Sequence, residues 1–270
     1  MSIPPPSARA LRWEPWLVWL VGMLAFASVP VYLGHIGLSW DALNHHIYLG
    51  WVAEQPRFDR DLAAAGNQAY QYPYLYWPVY KLAMAGASGV TAGVVLALLQ
   101  ALSVPPVWIV ARWVCPGATW IDLVLRLMAV VLAFLGGLGL SLLDSTSNDM
   151  LATIPYLWAV ALGALALSTP ERVRARRLTY ASGLMAGVSV AFKLSNGPLA
   201  LVLPLLWCLN TGGPREALRR VIGAGLAAAL GCLLAYGAWG WQLWHYAGNP
   251  IYPFYDDYFD GLRAVLGWRP

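Results

Sequence analysis

Seven times along this chain an apolar run long enough, or nearly long enough, to cross a bilayer gives way to a short polar segment, and that alternation restricts the fold more than any motif does. The runs cover 16–36, 88–112, 122–143, 150–168, 178–192, 197–209 and 221–244. A helix rises about 1.5 Å per residue, so roughly 20 residues span a ~30 Å hydrocarbon core. The fifth and sixth runs are short, which implies tilt, local bilayer thinning or a broken pair around Lys193, Ser195 and Asn196. With 59% hydrophobic and only 11% charged residues, a water-soluble globule would lack the polar surface to cover itself. The expected fold is therefore all-α, a polytopic transmembrane helical bundle of about seven spans forming a single domain over 1–270. The first run follows Arg9 and Arg12 as a signal peptide would, but its length and the lack of a small-residue cleavage site predict a retained span.

The arginines set the expected orientation. Arg172, Arg174, Arg176 and Arg177 lie between the fourth and fifth runs, and Arg215, Arg219 and Arg220 lie between the sixth and seventh. The two clusters are an even number of runs apart and agree with Arg9 and Arg12, so the positive-inside rule assigns all three to the cytoplasm. The net charge of +4 is thus explained by topology, and no nucleic-acid partner is inferred. Residues 1–15 become a cytoplasmic tail, 37–87 a first periplasmic loop and 245–270 a periplasmic carboxyl-terminal segment. Cys115, Cys208 and Cys232 are too dispersed for a disulfide framework or a cysteine metal site.

The polar side chains capable of chemistry gather at the end of the runs opposite the arginines. Asp41, His45 and Tyr48 are spaced i, i+4, i+7, so a juxtamembrane helix capped by Ser39 would present them on one face of the outer loop. A carboxylate beside imidazoles can serve as a general base, or it can simply cap and solvate that helix. Asp41 with His45 and His46 could also hold a divalent metal, although no metal ligand set is assigned. The tip from Asp144 to Asp149 has the composition of a tight turn between helices. Lys193 precedes Ser195, Asn196 and a helix start; it either snorkels to the interface or meets a phosphate held there. The tyrosine-rich stretch 70–80 reads as an interfacial belt. After the seventh run, Asn249, Pro250, Tyr252 and Pro253 make a stiffened loop whose aromatics suit sugar stacking or a membrane rim.

Three of these elements together resemble the GT-C superfamily of membrane glycosyltransferases, especially its bacterial mannosyl- and arabinosyltransferase-like branch: Asp41 in Ser-Trp-Asp-Ala-Leu-Asn-His-His, Lys193 to Asn196, and the loop from Gly248 to Tyr255. The resemblance implies a helical module in a bacterial inner membrane with its active site on the periplasmic face, fed by a lipid-linked sugar donor, a polyprenyl phosphate. It implies Asp41 as the catalytic carboxylate acting on a periplasmic or lipid acceptor. His45, His46, Asp149, Lys193, Asn196, Asn249 and Tyr252 become substrate-binding candidates. Members of the superfamily are usually longer, so the expectation is a short or truncated module that could need a partner subunit. Two other classes remain open: a transporter or flippase for a lipid-linked solute, and a non-catalytic subunit of a glycosylation complex. The first is disfavoured by nearly apolar mid-span positions.

Overall fold

The computed structural model describes residues 4–61, 64–209 and 212–268, so the first three residues of the expected tail and the last two of the carboxyl-terminal segment lie outside it. Among the described residues the architecture is all-helical apart from one short extended segment, β1 (Ala64–Asn67), in the long loop.

Helix α1 (Ala8–Leu33) begins well before the expected boundary at residue 16. Ser7 is the reason: its hydroxyl accepts the Ala10 N–H at 3.2 Å and starts the helix inside the supposed tail. Gly34 ends it in the left-handed conformation (φ 77°), its N–H returning to the Pro30 carbonyl. The second run forms α4 (Gly89–Gln100) and α5 (Val104–Val114), joined by a 3₁₀ turn and started by Ser88. The third run breaks into α6 (Trp120–Phe134) and α7 (Gly137–Leu143), bent by 73° across Leu135 and Gly136, where Gly136 takes an extended conformation (φ −62°, ψ 141°). Then come α8 (Asp149–Ser168), α9 (Arg172–Phe192), the short α10 (Gly197–Ala200) and α11 (Leu203–Cys208), and the long α12 (Pro214–Ala247).

By length and composition four helices of the described residues can cross a membrane, Ala8–Leu33, Gly89–Val114, Asp149–Ser168 and Pro214–Ala247, and the bent pair α6–α7 makes a fifth if taken as one span. Helix α9 falls outside this set because four arginines occupy its first two turns. Large apolar side chains such as Trp16, Leu20 and Leu24 of α1 and Leu226, Leu230 and Leu233 of α12 face outward, as a lipid surround allows.

Helices α8 and α9 run antiparallel: Ser182 donates to the Ala159 carbonyl at 2.6 Å and Ser189 to that of Ala152 at 3.1 Å. Helices α9 and α12 run parallel. Gly183 and Gly187 lie against the carbonyls of Ala224 and Ala228, and a Cβ on either glycine would overlap those backbones. The chain between α9 and α12 must therefore return from one end of the bundle to the other.

A buried ion pair ties the opposite flank. Arg126, fully buried, donates from Nε and Nη2 to the Glu14 carboxylate at 2.6 and 2.8 Å and from Nη1 to the carbonyls of Cys115 and Gly117 at 2.8 Å. Arg112 and Trp108 add contacts to Glu14 at 3.3 and 3.1 Å. The start of α1, the end of α5 and the start of α6 thus meet at one end, with the guanidinium satisfied on both faces.

Candidate functional site

The other end of the bundle holds a cavity of about 620 Å³. Its first wall is the start of the juxtamembrane helix. Ser39 caps as expected, its hydroxyl accepting the Ala42 N–H at 3.1 Å, and the helix passes through a π-helical turn (Ala42–His46) into α2 (Ile47–Val52). The wider turn keeps His45 Nδ1 3.8 Å from the Asp41 carboxylate. Tyr48, expected on the same face, turns away to pack beside Trp51.

Asp41 is half exposed to the cavity, and no hydrogen bond among the described residues engages its carboxylate. His45 and His46 are each only 4% exposed, with their rings edge to face at 4.5 Å. Burial lowers both imidazole pKa values, that of His46 to about 4 with help from its neighbour His45, so both rings are neutral near pH 7. His46 stacks on Tyr76 at 4.7 Å and shares a 2.6 Å hydrogen bond between its Nδ1 and the Thr146 hydroxyl. His45 Nδ1 is buried and has no hydrogen-bond partner among the described residues, an acceptor or donor left for a ligand or water.

The facing wall comes from the turn before α8 and the end of α9. Lys193 leaves α9 in an extended conformation and pairs with Asp149 in the first turn of α8. Ser147 donates to the same carboxylate at 2.6 Å. Of the two roles open to Lys193 from the sequence, snorkelling or meeting a phosphate, neither included a protein counterion, which Asp149 supplies here. An ammonium has three donors, so it can serve Asp149 and a second oxygen together.

Tyrosines close the cavity. Tyr70, Tyr72 and Tyr76 line it with Tyr236 of α12 and Tyr252 of the loop after α12. Tyr72 stacks between Phe192 and Tyr236 at 5.5 and 6.0 Å, and Tyr70 meets Tyr252 edge-on at 4.7 Å. Burial raises the phenol pKa of Tyr72 and Tyr76, which keeps these hydroxyls as donors. These residues were read from sequence as a membrane belt. The clue was the alternation of tyrosine at 70, 72, 74 and 76, a spacing that interfacial anchoring does not require.

The cavity thus unites Asp41, His45, His46, Asp149, Lys193 and Tyr252, but not Asn196 or Asn249. Asn196 is buried, its amide donating to the carbonyls of Ala152 and Ser189 and to the Ser189 hydroxyl at 3.1, 3.2 and 2.9 Å, which clamps α8 to the end of α9. Asn249 is also buried; it donates to the Phe254 carbonyl and the Asp256 carboxylate at 3.0 Å and accepts from Ile251 N–H at 2.9 Å, shaping the loop that delivers Tyr252. Both amides act on loop geometry, and neither lines the cavity. Among the described residues no three His, Cys, Asp or Glu side chains converge as a metal site. No family model, curated protein or solved structure matches this chain.

Proposed function

We infer that this chain is a membrane glycosyltransferase that moves a sugar from a polyprenyl-phosphate donor to an acceptor hydroxyl, and that its cavity opens on the periplasmic face of a bacterial inner membrane. The observation carrying this reading is the pairing of an uncommitted carboxylate, Asp41, with a cation, Lys193, across one tyrosine-walled cavity at the end of an apolar bundle. Sugar transfer needs opposite charges at the two ends of the breaking bond. The acceptor oxygen attacks the anomeric carbon while its proton passes to Asp41; the carbon–oxygen bond to phosphate breaks, and the released phosphate meets Lys193. The neutral imidazoles of His45 and His46 hydrogen-bond hydroxyls without adding charge beside the base. Tyrosine faces suit the apolar side of a sugar ring.

The same reading has seven crossings. Helix α9, at 21 residues, is about 31 Å long and lies along two helices that can themselves cross. Because α9 and α12 are parallel the chain returns between them, and in this reading the short apolar segment 194–208 serves as the sixth crossing. The arginine-rich end then faces the cytoplasm, giving an inside amino terminus and an outside carboxyl terminus.

The test is transfer by the protein reconstituted in liposomes with a panel of polyprenyl-phosphate sugars. Asp41→Asn is expected to lower turnover about a thousandfold with an unchanged melting profile, and Lys193→Ala to weaken donor use. Normal turnover by Asp41→Asn would remove that carboxylate from the mechanism. Donor movement across the bilayer without transfer would assign the cavity to a flippase instead.

A further inference from the structure

The arginine clusters that orient the chain also build a second pocket, of about 560 Å³, at the end of the bundle opposite the cavity. It is framed by the turn at Thr169 and Pro170 and by the first turns of the parallel helices α9 and α12. Helix α9 contributes Arg172 and Arg176, one turn apart, and α12 contributes Glu216 and Arg220 with the same spacing.

Two independent observations point toward an anion. Arg220 is only 6% exposed and lines the pocket, yet its one side-chain partner among the described residues is Glu216, at a long 3.4 Å. A guanidinium carries five donors, and those of Arg220 beyond the one to Glu216 are left to the pocket it lines. The second observation is backbone charge. Neither α9 nor α12 has a side-chain cap at its start, so two positive dipole ends adjoin the same space, with uncapped first-turn N–H groups on α9 and, past Pro214, which has none, on α12. Three guanidinium groups and two helix starts outweigh one carboxylate. Glu171, at the start of α9, does not line the pocket.

We propose that this pocket binds a phosphate-bearing anion, with Arg172, Arg176 and Arg220 as its ligands and the two helix starts supplying backbone donors. A phosphodiester reaches such a site either as the headgroup of an acidic phospholipid or as a soluble phosphate compound. In both cases it clamps α9 to α12 and holds the turn that joins α8 to α9. The proposal is independent of the chemistry assigned to the cavity at the other end.

The experiment uses the full chain in phosphate-free detergent and follows thermal unfolding during titration with dihexanoyl phosphatidylglycerol, inorganic phosphate, or dihexanoyl phosphatidylcholine. A saturable rise in melting temperature with phosphatidylglycerol alone assigns a lipid headgroup; a rise with inorganic phosphate assigns a soluble anion. Arg172→Gln/Arg176→Gln, at two exposed positions that leave the core intact, is expected to weaken that response at least tenfold. Arg174→Gln/Arg177→Gln removes the same charge from residues outside the pocket and is expected to leave it unchanged. The proposal is overturned if neither anion stabilises the wild-type chain beyond chloride at equal ionic strength, or if both double variants lose the response equally.

Discussion

His46 shows how far a single side chain departs from its ordinary behaviour in this fold. Stacked on Tyr76 and bonded to Thr146, it is held neutral down to about pH 4, whereas an unfolded chain protonates it near 6.5. Between those values the unfolded chain binds the extra proton, so native stability is full above pH 6.5 and falls as pH drops toward 4. The loss at this position is on the order of 2 to 3 kcal/mol, and His45 adds to it with the same sign. Denaturant unfolding of the micellar protein at pH 7 and pH 4.5 checks this: His46→Gln is expected to flatten the acid-side decline, and an identical slope in the variant would refute it. The side chains at 41, 45, 46, 149, 193 and 252 were legible as candidates because so few polar residues interrupt the apolar runs. Their partners were not. Lys193 and Asp149 are 44 residues apart, and only the antiparallel packing of α8 on α9 brings them together. Asn196 and Asn249 stand apart from the cavity lining, and sequence could not separate them, because a buried amide that braces a loop has the same sequence appearance as one that meets a ligand.

At the level of helices, hydrophobic length found four of the seven runs as helices able to cross and a fifth as a bent pair, but not the short fifth and sixth runs, and it missed boundaries. The runs foretold α1, α4 with α5, α8 and α12, while the Ser7 cap moved the start of α1 and an extended residue at 136 split the third run, local backbone geometry that hydropathy ignores. The closeness of α9 to α12 was also hidden. It depends on Gly183 and Gly187 standing one turn apart opposite small residues, a pattern whose meaning appears only when the partner helix is known. Gly187→Leu is expected to cost about 3 kcal/mol or to prevent folding, since the side chain has no room short of separating two backbones. Gly225→Leu, on α12 but with open space at its Cβ, is expected to change stability by no more than about 0.5 kcal/mol. Equal losses in unfolding assays of the two variants would contradict this account of the α9–α12 contact.

For the molecule as a whole, the segregation of charge between its two ends makes topology measurable. With Cys115, Cys208 and Cys232 replaced, single cysteines at two exposed positions, Arg174→Cys near the arginine turn and Tyr258→Cys beyond α12, are expected to differ in reaction with an impermeant maleimide added to intact spheroplasts. Labelling at 258 and protection at 174 fit the proposed orientation; the reverse pattern would invert it and move the cavity to the cytoplasm. The buried pair of Glu14 with Arg126 carries a consequence for biogenesis. Its partners are 112 residues apart, and at the usual 5–20 residues per second of translation the ribosome needs on the order of ten seconds to supply the second after the first. Until then the nascent α1 carries an acid group without its counterion, which favours keeping that end near water. Helix α1 therefore leaves the ribosome well before the residue that neutralises its acid, and its final seating waits for α6.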